Sequence, residues 1–198
     1  ESEETVREGV SSVSKDKATL RESPEDRATA LSLINLTPGG QFLDFTLIDP
    51  LKVTSGEADL WFVKDKEGKE YVLKYYRFGI TPKEEITAKI KALRLEHIVE
   101  VLASGEAGGR HYEILEKIEH GDLNDYVGGK PLGDDKLKAV LEELGSAVAH
   151  LHEAGIIHRD IKPANVLVRT LDPLDLVLAD FGISSVSDGS LLLTSVNR

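Results

Sequence analysis

One stretch narrows what this chain can become more than any other: Ile156-Ile157-His158-Arg159-Asp160-Ile161-Lys162-Pro163-Ala164-Asn165-Val166-Leu167-Val168. An apolar pair leads into a polar loop, and an apolar run leads out of it. Twenty residues after Asp160 stands Asp180-Phe181-Gly182, directly behind a second apolar run, Leu176 to Leu178. Either short motif alone arises readily by chance. Both together, in this order and each beside a short buried-strand signature, are hard to obtain accidentally.

The rest of the chain reads as three stretches. Residues 1–41 are rich in Glu, Ser, Lys and Arg and read as an acidic extension or linker, with one candidate helix, Glu25 to Leu36, after Ser23-Pro24. Residues 42–119 have strand texture. Phe42 to Ile48 alternates, and Leu60 to Val63 and Tyr71 to Tyr75 flank Asp65-Lys66-Glu67-Gly68-Lys69, a hairpin turn. Pro82 to Leu95 carries helical signals: Pro82 in the first turn, Glu84 and Glu85 at the positive end of the dipole, and Ile86, Ile90 and Leu93 as an apolar stripe. Strands Ile98 to Leu102 and His111 to Leu115 follow, with a turn at Gly105 to Gly109. Residues 120–198 begin with Gly121-Asp122-Leu123 and the clearest helix of the chain, Asp134 to Glu153, with Gly155 past its end. Two short strands, Val166 to Val168 and Leu176 to Leu178, surround a turn at Asp172-Pro173. The class is α+β.

At this point the chain resembles the eukaryotic-type serine/threonine protein kinase family. His158-Arg159-Asp160 with Asn165 five residues after the Asp matches the family's catalytic loop, and Asp180-Phe181-Gly182 its second signature. Val72-Leu73-Lys74 stands where the family has its third-strand lysine. Leu115-Glu116-Lys117-Ile118 is similar to the hinge between lobes, which spans Glu116 to Glu119. The similarity runs from about Leu47 to the C-terminus.

The resemblance implies a bilobal fold, an antiparallel-sheet N-lobe followed by the first part of a helical C-lobe. It also implies ATP and Mg2+ as cofactors, and phosphate transfer to Ser/Thr hydroxyls of a protein substrate, the chain itself included. Such catalysis is mainly placement and charge neutralisation. In that scheme Asp160 accepts the proton of the incoming hydroxyl, Lys162 neutralises the transferring group, and Lys74 contacts the α- and β-phosphates. Asp180 and Asn165 are the metal ligands, hard oxygen donors that suit magnesium. Glu85 on the following helix steadies Lys74, with Glu84 as the alternative. ATP also lies against Ser55, Gly56 and Ala58 and against hinge residues Glu116 and Ile118. His158 is assigned to loop structure. Arg159 suggests control by phosphorylation of the activation loop; the candidate acceptors are Ser184, Ser185, Ser187, Ser190, Thr194 and Ser195, with Thr194 and Ser195 favoured as late in the loop.

Two departures matter. Val53, Ser55 and Ala58 stand where the family carries three glycines, so fewer residues tolerate positive φ in that loop. Sixteen residues follow Gly182 and no Ala-Pro-Glu occurs among them, so the sequence is expected to be an excerpt of a longer polypeptide. Apolar faces such as part of the Asp134–Glu153 helix are then expected to be exposed and open to a partner. The rival reading, from another class, is a kinase-like nucleotide-binding or scaffolding module with little phosphotransfer. The net charge of −11 and pI near 5.0 argue against non-specific nucleic-acid binding. No membrane segment is present, and the absence of cysteine fits a reducing compartment, so a cytoplasmic location is expected.

Overall fold

The computed structural model describes residues 34–52, 56–93, 96–181 and 185–186. The candidate helix Glu25 to Leu36 falls almost wholly outside these residues. Ile34 to Thr37, which are described, carry no helix.

Six strands form one antiparallel sheet in the order β1-β2-β3-β4-β6-β5. They are β1 (Gln41–Phe42), β2 (Phe45–Pro50), β3 (Ala58–Lys64), β4 (Glu70–Tyr76), β5 (Val101–Ala107) and β6 (Arg110–Glu116). Helix α1 (Glu84–Leu93) crosses between β4 and β5. Alternation sorts the side chains of β4. Tyr71, Leu73 and Tyr75 join Phe42, Leu47, Trp61, Val63 and Ile114 in one buried cluster. Val72, Lys74 and Tyr76 therefore occupy the other face.

The strand expected over Phe42 to Ile48 is instead a tight hairpin. Phe42 pairs with Phe45, and Leu43 takes a positive φ of 53° at the turn. The strand expected to end at Leu102 starts at Val101 and runs to Ala107, through Gly105. Gly105 is accommodated because the Tyr112 ring packs over it; a Cβ there would lie 3.1 Å from the Tyr112 hydroxyl oxygen. Only Gly108 and Gly109 then turn the chain. Both take positive φ, as a two-residue hairpin requires.

The second part is built on α2 (Leu123–Val127) and α3 (Asp134–Glu153). Asp122 caps α2 in a reciprocal capping box with Asp125. Val140, Ala147 and Leu151 are the buried positions of α3, while Leu137 and Leu141 are 44% and 60% exposed, as expected of part of this helix. The remaining elements are β7 (Ile156–Ile157), a 3-10 turn (Pro163–Asn165), the hairpin β8 (Val166–Leu171) with β9 (Leu174–Leu178), and β10 (Ser185–Val186), which pairs with β7. One buried cluster unites Ile86, Ile90 and Ile98 with Leu151, Ile156, Val166, Val168, Leu176 and Leu178. Backbone hydrogen bonds from Val99 N to Leu178 O and from Leu178 N to His97 O stitch the sheet region to β9. That stitch fixes where the chain emerges from β9, two residues before Asp180.

Candidate active site

The catalytic-loop motif occupies the link between β7 and β8. His158 is 2% exposed. Its Nδ1 accepts from the Asp160 amide at 3.3 Å, so Nε2 carries the proton and donates to Ala179 O at 2.9 Å. Burial holds this imidazole below its ordinary pKa and so in the neutral form. The Ala179 amide donates in return to Asn165 O at 2.9 Å. The His158 ring also lies 4.7 Å from that of Phe181. Two polar loops from distant parts of the chain are thereby locked together through backbone groups.

This lock presents the charged side chains. Lys162 Nζ donates to Asp160 Oδ2 at 2.7 Å, and Asn165 Nδ2 donates to the same oxygen at 2.9 Å and to Asp160 O at 2.8 Å. Asp160 is held below the usual carboxylate range, first by Lys162 and then by Asn165. Lys162 is raised in turn by Asp160. Both side-chain contacts fall on Oδ2, which leaves Oδ1 for another group. Asn165 is 6% exposed and spends its amide N–H on Asp160, so its side-chain oxygen can accept elsewhere. Arg159 and Asp180 take positive φ of 68° and 62°. Neither is glycine, and such conformations gather at functional sites.

Lys74 reaches this group from the sheet. Only 7% exposed on β4, it donates from Nζ to Asp180 Oδ1 at 2.9 Å and stands 5.0 Å over the Tyr76 ring. Lys74, Asp160, Lys162, Asn165 and Asp180 thus share one side-chain constellation.

Other expected residues are placed differently. Glu84 and Glu85 lie exposed in the first turn of α1, and neither pairs with Lys74. The reason is the helix phase: Ile86 and Ile90, at 3% and 4% exposure, occupy the face α1 buries. Gly56 is exposed, Ala58 is 3% exposed at the start of β3, and Ser55 and Val53 lie outside the described residues. Ile118 is half-buried. The Glu116 carboxylate is a tether, accepting from the Glu100 amide at 2.9 Å and from Arg169 Nη2 at 2.8 Å. Arg169 also bonds Asp175 and Glu96 O, a network that no motif signals. Of the candidate acceptors, only Ser185 falls on described residues, in β10; Thr194 and Ser195 do not. Buried Glu113, on β6, carries no motif signal either.

An antiparallel sheet with a crossing helix, followed by a helical part, forms a bilobal architecture, and the comparisons agree. The protein kinase domain profile matches residues 62–197, and the chain belongs to that family. Serine/threonine-protein kinase RAD53 of Saccharomyces cerevisiae is 30% identical over 176 residues, 84% of this chain and 21% of the yeast protein. Putative CBL-interacting protein kinase 13 of Oryza sativa subsp. japonica is 36% identical over 139 residues, 69% of this chain and 25% of the rice protein. Among solved structures, Rad53 1-466 in complex with AMP-PNP superposes with a TM-score of 0.62 at 26% identity, covering 70% of this chain and 38% of the other. The chain therefore spans about a fifth to a quarter of the length of these curated relatives.

Proposed function

We propose that this chain is the ATP-binding and catalytic part of a protein kinase that transfers the γ-phosphoryl group of Mg·ATP to serine or threonine hydroxyls, its own included. The single observation that carries the reading is the pairing of Lys74 with Asp180 beside the linked Asp160, Lys162 and Asn165, drawn from three separate segments. The bound AMP-PNP of the Rad53 structure belongs to that protein, and supports ATP as the ligand here by family.

Each group has a role its surroundings suit. Lys74 offers a buried ammonium that would exchange part of its contact with Asp180 for phosphate oxygens. Asp160, ionised and with Oδ1 open, accepts the proton of the incoming hydroxyl. Lys162 and Asn165 fix its orientation, so the hydroxyl meets a pre-placed base. Lys162 adds positive charge where the phosphoryl group passes. The donor set fits magnesium: Asp180 has a side chain 45% exposed, and Asn165 a side-chain oxygen that can accept beside it. Bound Mg2+ would neutralise phosphate charge. The decisive experiment compares wild type with Asp160→Ala. Phosphate transfer should fall by about 10²-fold or more, while nucleotide binding persists. A wild type that binds Mg·ATP yet phosphorylates no acceptor would favour the nucleotide-binding module.

A further inference from the structure

We propose that His97, Glu143 and Asp175 form a zinc site at the joint between the sheet and the helical part, separate from the magnesium ligands and independent of the phosphotransferase reading.

The three residues come from places that only folding brings together. His97 stands in the segment before β5 whose backbone bonds Leu178, Glu143 lies midway along α3, and Asp175 lies in β9. One candidate ligand atom from each lies within 4.8 Å of the other two. The side chains are largely withdrawn from solvent, at 14%, 27% and 29% exposure.

Buried polar groups ordinarily find hydrogen-bond partners, and here one does not. His97 Nδ1 is buried and has no hydrogen-bond partner. Glu143 Oε2 stands 3.7 Å from it, beyond hydrogen-bond reach. Tetrahedral zinc ligands bound at about 2.0–2.2 Å lie about 3.4 Å apart, so a shared cation needs that gap to close only slightly. The imidazole is also held in place, because His150 of α3 stacks on it with ring centroids 5.2 Å apart and planes 10° from parallel.

The surroundings suit a ligand set. Arg169 donates to Asp175 Oδ2 at 3.1 Å, which orients that carboxylate and leaves Oδ1 for a cation. The same guanidinium also serves Glu116 at 2.8 Å. Glu143 pairs with no lysine or arginine among the described residues. Three carboxylates are thus set against one guanidinium, and a divalent cation would restore the balance. An imidazole nitrogen with two carboxylate oxygens, and water as the fourth ligand, suits zinc, whereas magnesium favours oxygen donors. Zinc bound there would tie α3 and β9 to the segment before β5, and so brace the strand that leads to Asp180.

The test is titration of the chelator-treated full chain with Zn2+, in excess Mg2+ so that the oxygen sites are filled. Calorimetry and thermal unfolding report the binding, and the visible absorption of bound Co2+ reports the ligand set. Wild type should take up one Zn2+ per chain at micromolar concentration and unfold at a higher temperature with it. His97→Gln and Glu143→Gln should each weaken binding about tenfold or more and change the Co2+ spectrum. Glu143→Gln, at a partly exposed helix position, carries the test if His97→Gln does not fold. His111→Gln, which removes the imidazole paired with Glu106, should leave binding unchanged. No uptake at micromolar zinc overturns the proposal, as does equal uptake by wild type and a folded site variant. Loss of binding in His111→Gln alone would place the ion elsewhere and overturn it too.

Discussion

Asp160 illustrates how much a single side chain owes to its neighbours. Lys162 and Asn165 hold its carboxylate ionised below the ordinary range, so the base form persists to lower pH than a free aspartate's. The acidic limb of the phosphotransfer pH profile is therefore expected below the usual Asp value of about 3.9 or to be masked by acid unfolding. Lys162→Ala should lower the rate and move that limb upward toward the ordinary value, read from kcat against pH. His158 adds a pH dependence of stability. Its pKa is depressed in the fold, so the unfolded chain binds the extra proton first. Stability should rise with pH through about 6.5, and His158→Phe should flatten that slope in urea titrations at a series of pH values. The His-Arg-Asp and Asp-Phe-Gly triplets were legible because each is a contiguous pattern, and both fall within the family match at residues 62–197. Glu113 was not, because the hydroxyls that hold its carboxylate, those of Tyr76 and Thr87, come from β4 and α1 and meet it only after folding.

At the scale of elements, periodicity read well wherever burial is one-sided. Strands β3, β4 and β6 and helices α1 and α3 were visible in alternation and in three- and four-residue spacing. Two errors had separate local causes. Gly105 looked like a turn but is roofed by Tyr112, and Leu43 looked like a strand residue but takes the turn conformation. The hinge also hides a tether. Arg169 of β8 joins Glu116 at the end of β6 to Asp175 of β9. Because Arg169 is part-buried and multiply bonded, Arg169→Ala should cost about 1–3 kcal/mol. Glu116→Ala should cost a similar amount, and the double variant much less than the sum. Chemical denaturation of the four proteins tests this; simple additivity would show that the two side chains act independently.

For the whole molecule, the decisive feature is the joint between sheet and helical part. Ile98 lies in a bridge to Leu178, is 2% exposed, and belongs to the buried cluster that contains Leu151 and Val168. Ile98→Ala should cost about 2–5 kcal/mol and, because β9 leads into Asp180, should weaken Mg·ATP binding as well. Calorimetry with and without nucleotide would separate the two effects. None of this joint was legible from motifs, since it depends on which apolar residues meet after folding. Lys74, Asp160, Lys162, Asn165 and Asp180 could be named from motif spacing alone, before any contact between them was known. The central claim is tested most directly by intact-mass and phosphopeptide analysis of the chain and of a dephosphorylated protein acceptor after incubation with Mg·ATP, beside Asp160→Ala. The account predicts phosphate on serine or threonine with wild type, and none with Asp160→Ala despite retained nucleotide binding. Equal phosphate in both, or nucleotide bound by wild type with no transfer to any acceptor, would contradict it.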